Sequence, residues 1–329
     1  MTIKATIDTF KGSVIKINKG RSWVDLMPVA TLALLLIVMT IGSPRFLTYE
    51  TLIILLAQVA TLIMMGIGET FIILLGSIDL SIAPVAAMST IIAAMLVPSL
   101  GYFAFVVAVI FGMLAGLTTG LIHTKGRIPS FIASLGTMGI WTGLAFLLSN
   151  ATPITISSAD SHFLTWVSGY TFEIPNVIYI MVVALLLTYF IETYTAFGRY
   201  VKAIGAGEKA TFVAGGAIDR YKTLAFMLCG MLAAFQGVII ACIMSSGSPR
   251  AADGLQMKAI ALVVLGGTAV SGGIGGVFRT FIGALIVFTL EYGMNMVGVN
   301  SWFQQAVYGV IIIVAVALTI DRSRISIIK

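Results

Sequence analysis

Apolar residues dominate this chain in long runs separated by short polar stretches. The runs fall at 26–42, 51–75, 82–98, 102–123, 131–149, 176–194, 223–244, 256–270, 277–298 and 302–320. Most approach the roughly 20 residues a helix needs to cross a bilayer, where lipid offers nothing to pair with exposed backbone amides. The short alternating segments of a barrel are absent. The pattern therefore predicts an all-α integral membrane protein of about ten transmembrane helices. One segment departs from it. Residues 195–222 are polar and Gly-rich and carry Arg199, Lys202, Lys209, Arg220 and Lys222. Within them 208–213 reads as a short amphipathic helix, flanked by Gly205, Gly207, Gly215 and Gly216. Glycines there would set a rigid plug between two flexible turns.

Composition and charge placement add orientation. The chain is 59% hydrophobic and only 10% charged, with a mean hydropathy of +1.07. An even number of spans puts both termini on one side. With the N-terminus inside, all of the 19 basic residues except Arg45, Arg250 and Lys258 fall in inner segments, which makes both termini cytoplasmic. The organisation is then a cytoplasmic tail over 1–25, a transmembrane domain over 26–320 with the inner loop 195–222, and a cytoplasmic tail over 321–329. The net charge of +6 reports this orientation and implies no nucleic acid, since no soluble domain carries a basic patch with aromatic platforms. The basic tail before the first span can also lie on anionic membrane lipids. No cleavable signal precedes that span.

Several chemistries are excluded. Cys229 and Cys242 stand on one helix about 20 Å apart, too far to bridge, and neither has a His or a second ligand nearby in the sequence, so no metal site is expected. No Gly-x-x-x-x-Gly-Lys-Ser/Thr loop occurs, so the chain cannot hydrolyse ATP by itself. There is no row of basic residues in a span and no Thr-Val-Gly-Tyr-Gly filter.

Polar groups at membrane depth mark where a solute could pass. Asp79 and Ser81 sit in Gly76-Ser77-Ile78-Asp79-Leu80-Ser81, bracketed by Gly76 and Pro84, where a broken helix would leave backbone groups facing protein or a wet cavity. They serve either as a helix cap and hinge or as a solute contact. Glu291 and Asn295 lie one turn apart on one helix face and can line a path or pin two helices together. Glu69 and Gln58 extend the same polar face, whereas Gln236 reads as interhelical glue. Residues 75–81 and 265–271 resemble each other, aligning Gly76 with Gly266 and placing Gly267 beside it. This suggests two halves repeating one broken-helix unit, with Gly76, Gly266 and Gly267 as gating glycines.

Three stretches together resemble a known family over about 26–321. They are Gly76 to Ser81, close to a Gly-Gly-Ile-Asp-Leu-Ser signature; Thr195-Ala196-Phe197-Gly198-Arg199-Tyr200 through Ala203-Ile204-Gly205; and Ala259 to Thr268 running into Ser271-Gly272-Gly273. The family is that of permease subunits of ABC importers for monosaccharides of the ribose, xylose and arabinose type. The resemblance implies a bacterial inner-membrane protein that is not itself an enzyme and moves a small neutral sugar or polyol inward by alternating access. It implies four kinds of partner: a cytoplasmic ATPase subunit that carries the ATP and Mg, a second permease copy, a periplasmic or lipid-anchored sugar-binding protein, and membrane lipids. No cofactor is expected on this chain. Gly198, Arg199, Gly205, Glu208, Lys209, Ala210 and Gly215 are the implied ATPase-docking residues. The outer loop 151–175, with Trp166, Tyr170, Asp160 and Glu173, is the natural landing surface for the binding protein. Departures are Ser77 and Ala83 where the family has Gly, Gly207 for Asn, Gly216 for Ile, and Glu69 for an apolar residue. Two alternatives stay open: an importer of this architecture for nucleosides or branched-chain amino acids, and a proton-coupled secondary carrier using Glu69, Asp79 and Glu291.

Overall fold

The computed structural model describes residues 26–43, 46–300, 303–304, 306–310 and 313. The tails expected at 1–25 and 321–329, and most of the window 302–320, lie outside the described residues. In chain order the helices are α1 (Leu26–Gly42), α2 (Tyr49–Ala60), α3 (Ile63–Leu74), α4 (Ile82–Leu100), α5 (Phe103–Thr124) and α6 (Ser130–Leu148). There follow α7 (Thr165–Ser168), α8 (Asn176–Tyr194), α9 (Ala196–Ala206), α10 (Glu208–Val213), α11 (Ile218–Met244), α12 (Leu255–Leu265) and α13 (Val277–Met296). Four two-residue strands join loops: β1 (Ile154–Thr155) pairs with β4 (Ser246–Gly247), and β2 (Tyr170–Thr171) with β3 (Ile174–Pro175). Among the described residues, six helices are long and apolar enough to cross a membrane, or seven if the bent pair α2 and α3 is one span.

The 27-residue α11 is the axis of the bundle, its apolar side chains buried against α3, α4 and α5. Its closest neighbour is α5, which presents Gly112, Gly116 and Gly120 one turn apart. A Cβ at Gly112 would strike Ala234 and the carbonyl of Gly230, and one at Gly116 the carbonyl of Phe226. Small residues at four-residue spacing let two backbones touch, as membrane helices require when apolar burial alone gives them no reason to associate. By contrast α6 and α8 expose Phe131, Ile132, Leu135, Leu186, Leu187 and Phe190, the surface expected to face lipid or a second subunit.

Three windows differ from the simplest reading. The run 51–75 is two helices meeting at 51°. No Pro or Gly stands at this bend; instead the Gln236 side chain from α11 donates to the carbonyl of Thr61, and Thr61 Oγ1 turns back to the carbonyl of Gln58 at 2.7 Å. A side chain inserted into the backbone ladder is an established cause of a kink. The run 256–270 gives only the 11-residue α12, because the glycines from Gly266 onward leave the helix. Finally, 195–222 is no loop with one small helix: α9 precedes α10, and α11 starts at Ile218 rather than 223. The short helix over 208–213 is present as expected.

The internal likeness of 75–81 and 265–271 is real, shifted by one residue. Gly76 (φ 74°) and Gly267 (φ 86°) both occupy the left-handed region. The Gly76 N–H bonds the carbonyl of Ile73 and that of Ser77 the carbonyl of Ile72; Gly267 N–H bonds Val264 and Thr268 N–H bonds Val263. Both helices thus end in the same Schellman cap, and Gly76 corresponds to Gly267, not to Gly266. Gly266 is instead a contact glycine, where a Cβ would strike the carbonyl of Arg279.

Candidate functional site

At the end of the bundle where α2 and α8 begin lies a cavity of about 840 Å³, lined by Tyr49, Glu50, Gln58, Thr61, Tyr170 and Glu173 over an apolar wall that includes Ile53 and Ile243. The bend between α2 and α3 brings polar groups to it: Thr61 belongs to the break itself, and Gln58 Oε1 is buried with no hydrogen-bond partner among the described residues. A buried orphan acceptor is rare in a folded protein and fits a site meant to receive a donor. The rim is held by the β2–β3 hairpin, whose turn residues Phe172 (φ 51°) and Glu173 (φ 65°) are both left-handed, a conformation that costs non-glycine residues energy and that clusters at functional sites. Tyr rings, amide, hydroxyl and carboxylate groups can stack on and hydrogen-bond a neutral polyhydroxylated solute. No Lys or Arg stands among the described residues that line the cavity.

Of the expected pathway residues only Gln58 lines this cavity. Glu69, Asp79 and Ser81 form a buried knot beside the middle of α3, where Glu69 stands, about 12 Å from the bend along the helix axis. The Asp79 N–H donates to Glu69 Oε1 at 3.1 Å, and Ser81 donates to Asp79 Oδ1 through its N–H at 2.8 Å and its hydroxyl at 2.6 Å. Asp79 Oδ1 thereby closes the turn that starts α4, while its Oδ2 is buried with no hydrogen-bond partner among the described residues. Ser130 and Ser134 of α6 hold the same break through the N–H and carbonyl of Ile78, at 3.5 and 3.4 Å. Glu291 is engaged by Lys258 Nζ at 2.9 Å and by the Tyr308 hydroxyl at 3.1 Å, and Asn295 accepts from Gln304 Nε2 at 2.7 Å. These two residues join helices in this structure. Lys258 was counted among outer residues on charge alone; its partner in the next helix was readable from opposite signs in adjacent apolar runs.

The opposite end of the bundle carries the α9–α10 handle. Thr195 caps α9 by accepting from the Gly198 N–H, and Arg199 Nη1 donates to the carbonyl of Tyr194 at 3.3 Å, closing the end of α8. Gly198 and Gly205 are packing positions: a Cβ at Gly198 would strike the carbonyl of Glu192, and one at Gly205 the carbonyl of Leu74 and the Gly273 N–H. Gly205 is therefore helical and packed, not part of a flexible turn. Thr211 Oγ1 ties α10 back to the Ala203 carbonyl at 2.9 Å, and Lys222 pairs with Glu208 at 2.9 Å. Gly215, with φ 82°, ends α10 in another Schellman cap through its own N–H to Phe212 and that of Gly216 to Thr211. The tip of the handle is open: Glu208, Lys209 and Ala210 are exposed, as are Phe212 (71%) and Val213 (86%). Together with Ile218 and Asp219, four of these residues line a shallow depression of about 600 Å³.

The cysteines stand as expected, both free and buried on α11. No group of three or more His, Cys, Asp or Glu among the described residues could hold a metal.

A bundle of long apolar helices with two broken helices, a cavity with polar groups at one end and an exposed handle at the other is the build of a multi-pass membrane protein. Residues 51–316 match the family described as the permease component of the branched-chain amino acid transport system, and the chain belongs to that family. It is 37% identical over 304 residues to the ribose import permease protein RbsC of Bacillus subtilis, covering 91% of this chain and 93% of that one. It is 33% identical to the D-allose transport system permease protein AlsC of Escherichia coli, over 84% and 85% of the two chains. With the L-arabinose ABC transporter permease protein AraH of Azospirillum brasilense it shares 30% identity, over 84% and 82%. No solved structure matches the chain. Like these relatives, the protein is a permease subunit and not an enzyme.

Proposed function

We propose that this chain is the membrane-spanning permease of an ATP-driven importer that brings a small neutral sugar or polyol into a bacterial cell across the inner membrane. The observation that carries this reading is likeness, over more than four-fifths of the chain, to permeases named for three different monosaccharides. The cavity chemistry supports it, since a polyol needs acceptors, donors and ring faces, and those are what Gln58, Thr61, Tyr49 and Tyr170 offer. A branched-chain amino acid brings a carboxylate, for which the described lining residues supply no cation, and this supports the sugar reading despite the family's description. The proton-driven carrier is disfavoured because its three carboxylates do not form one relay: Glu291 is held by Lys258 and Tyr308, apart from the contact between Asp79 and Glu69.

In this reading the chain crosses the membrane about ten times with both termini in the cytoplasm, so that the cavity opens outward and the handle inward. A second permease copy completes the path, and a cytoplasmic ATPase subunit carrying ATP and Mg seats the exposed tip of α10. A periplasmic or lipid-anchored sugar-binding protein delivers solute to the loop 151–175. Closing of the ATPase pair drives the two handles together and rocks the bundles between outward- and inward-open forms. The test is co-purification with the ATPase and the binding protein, reconstitution in liposomes, and a screen of solutes on the binding protein. ATP-dependent uptake of a monosaccharide is the expected outcome; uptake driven by a proton gradient with the permease alone would overturn the reading.

A further inference from the structure

One buried carboxylate has no part in the site described so far. Glu192 stands in the last turn of α8, 5% exposed, and its two oxygens serve two different elements. Oε1 is 2.7 Å from Lys202 Nζ in the middle of α9, and Oε2 accepts from the Val277 N–H, the first amide of α13, at 2.6 Å. The contact with α13 depends on Gly276, where a Cβ would overlap the carboxylate. The first amides of a helix lack intrahelical partners and carry its positive end, so a carboxylate there is held both by a hydrogen bond and by the helix field. Lys202 in turn is about 36% exposed at its side chain and reaches inward only to this partner. Backbone packing reinforces the link, since Gly198 of α9 touches the Glu192 main chain.

We infer that Glu192 is a positioning residue that joins the α9–α10 handle to the N-terminus of α13, so that a displacement of the handle is transmitted to α13 through the Lys202–Glu192–Val277 chain. The inference deepens the importer reading and rests on it. Without the tie, the handle still docks through α10 and the ATPase still turns over, but less of the displacement reaches the bundle. α13 is the helix that bears Glu291 and Asn295 and packs on α12, so it is well placed to receive it.

The test compares Lys202→Met, Lys202→Arg and Glu192→Gln with the wild type in the complete transporter reconstituted in liposomes, measuring solute taken up and ATP hydrolysed in the same sample. Lys202→Met removes the charge from a partly exposed position, and Glu192→Gln keeps an acceptor for Val277. Each is expected to leave ATP hydrolysis within about twofold of wild type while solute moved per ATP falls about fivefold, the scale on which losing a charge-assisted hydrogen bond shifts an equilibrium. Lys202→Arg is expected to restore the ratio. A wild-type ratio in both Lys202→Met and Glu192→Gln overturns the inference, as does a parallel loss of hydrolysis and uptake, which marks a residue needed only for the fold. If the wild-type assembly itself shows no ATP-dependent uptake, the importer reading falls first and the tie with it.

Discussion

Gly205 separates two accounts of the handle. As a flexible turn beside the docking helix, it would matter only when the ATPase is bound. The structure places it inside α9, pressed against the end of α3: a Cβ would overlap the Leu74 carbonyl and crowd the Gly273 N–H, which otherwise bond each other at 2.9 Å. Gly205→Ala adds one methyl group with no room to relax, because the obstructing atoms are backbone. Forcing the helices apart costs about 1–3 kcal/mol as overpacking, and separating the Gly273 N–H from Leu74 leaves a buried polar pair short of partners for about 1–3 kcal/mol more. The sum, roughly 2–6 kcal/mol, corresponds to a thermal midpoint lower by about 5 °C or more. The assay is thermal unfolding of the permease alone in detergent, with no ATPase present. A Gly205→Ala protein that melts with the wild type and fails only in binding the ATPase would refute the packing account.

Other substitutions probe the remaining parts. Gln58→Leu removes the orphan acceptor at the cavity without disturbing the bend, which Gln236 and Thr61 hold, so uptake at limiting solute should fall about tenfold with thermal stability unchanged; equal uptake would remove Gln58 from the path. Lys258→Met leaves the partly buried Glu291 with Tyr308 as its remaining partner and should destabilise by about 1–3 kcal/mol, whereas Lys258→Met with Glu291→Met should recover most of the loss; a double variant as unstable as the single would show that the pair is not coupled. Phe212→Ala should weaken retention of the ATPase in co-purification at least tenfold, as truncating an exposed aromatic anchor does, and leave the permease's own unfolding unchanged; undiminished retention would place docking elsewhere.

The spans were legible because lipid imposes a length and a composition that any sequence must meet. Less legible was whatever depends on residues far apart in sequence. Nothing near 61 announces a bend, because its cause, Gln236, comes from another helix. Gly205 and Gly215 look alike in sequence, yet one admits a neighbouring carbonyl and the other supplies a left-handed cap. Asp79 and Ser81 share one short segment, but Glu69 was read apart from them, with Gln58; that the three meet in one buried knot depends on how the chain folds back between α3 and α4. Glu192 escaped notice because a single carboxylate at the end of an apolar run has no local pattern; both of its partners lie outside its own helix.

The shifted alignment of the two broken helices bears on how they could move. Since Gly76 and Gly267 close equivalent caps, the chain after each cap leaves its helix in the same way, but the tail after Gly76 turns to α6, whereas the tail after Gly267 runs back to the first cap and to α9. Ser271 and Gly272 approach Gly76, Gly272 also meets Gly205, and Gly273 bonds Leu74 while lying against Ala206. Each contact is backbone to backbone, with no long side chain to bend and absorb displacement. Packed interfaces of this kind change by switching between discrete arrangements and not by gradual stretching. A push on α9 therefore reaches both breaks at once, and the break before α4 is held on its far side by Ser130 and Ser134 of α6. With α4 anchored to α6 and α13 tied through Glu192 to the handle, the two halves have different attachments at one junction, which is the asymmetry a rocking motion requires.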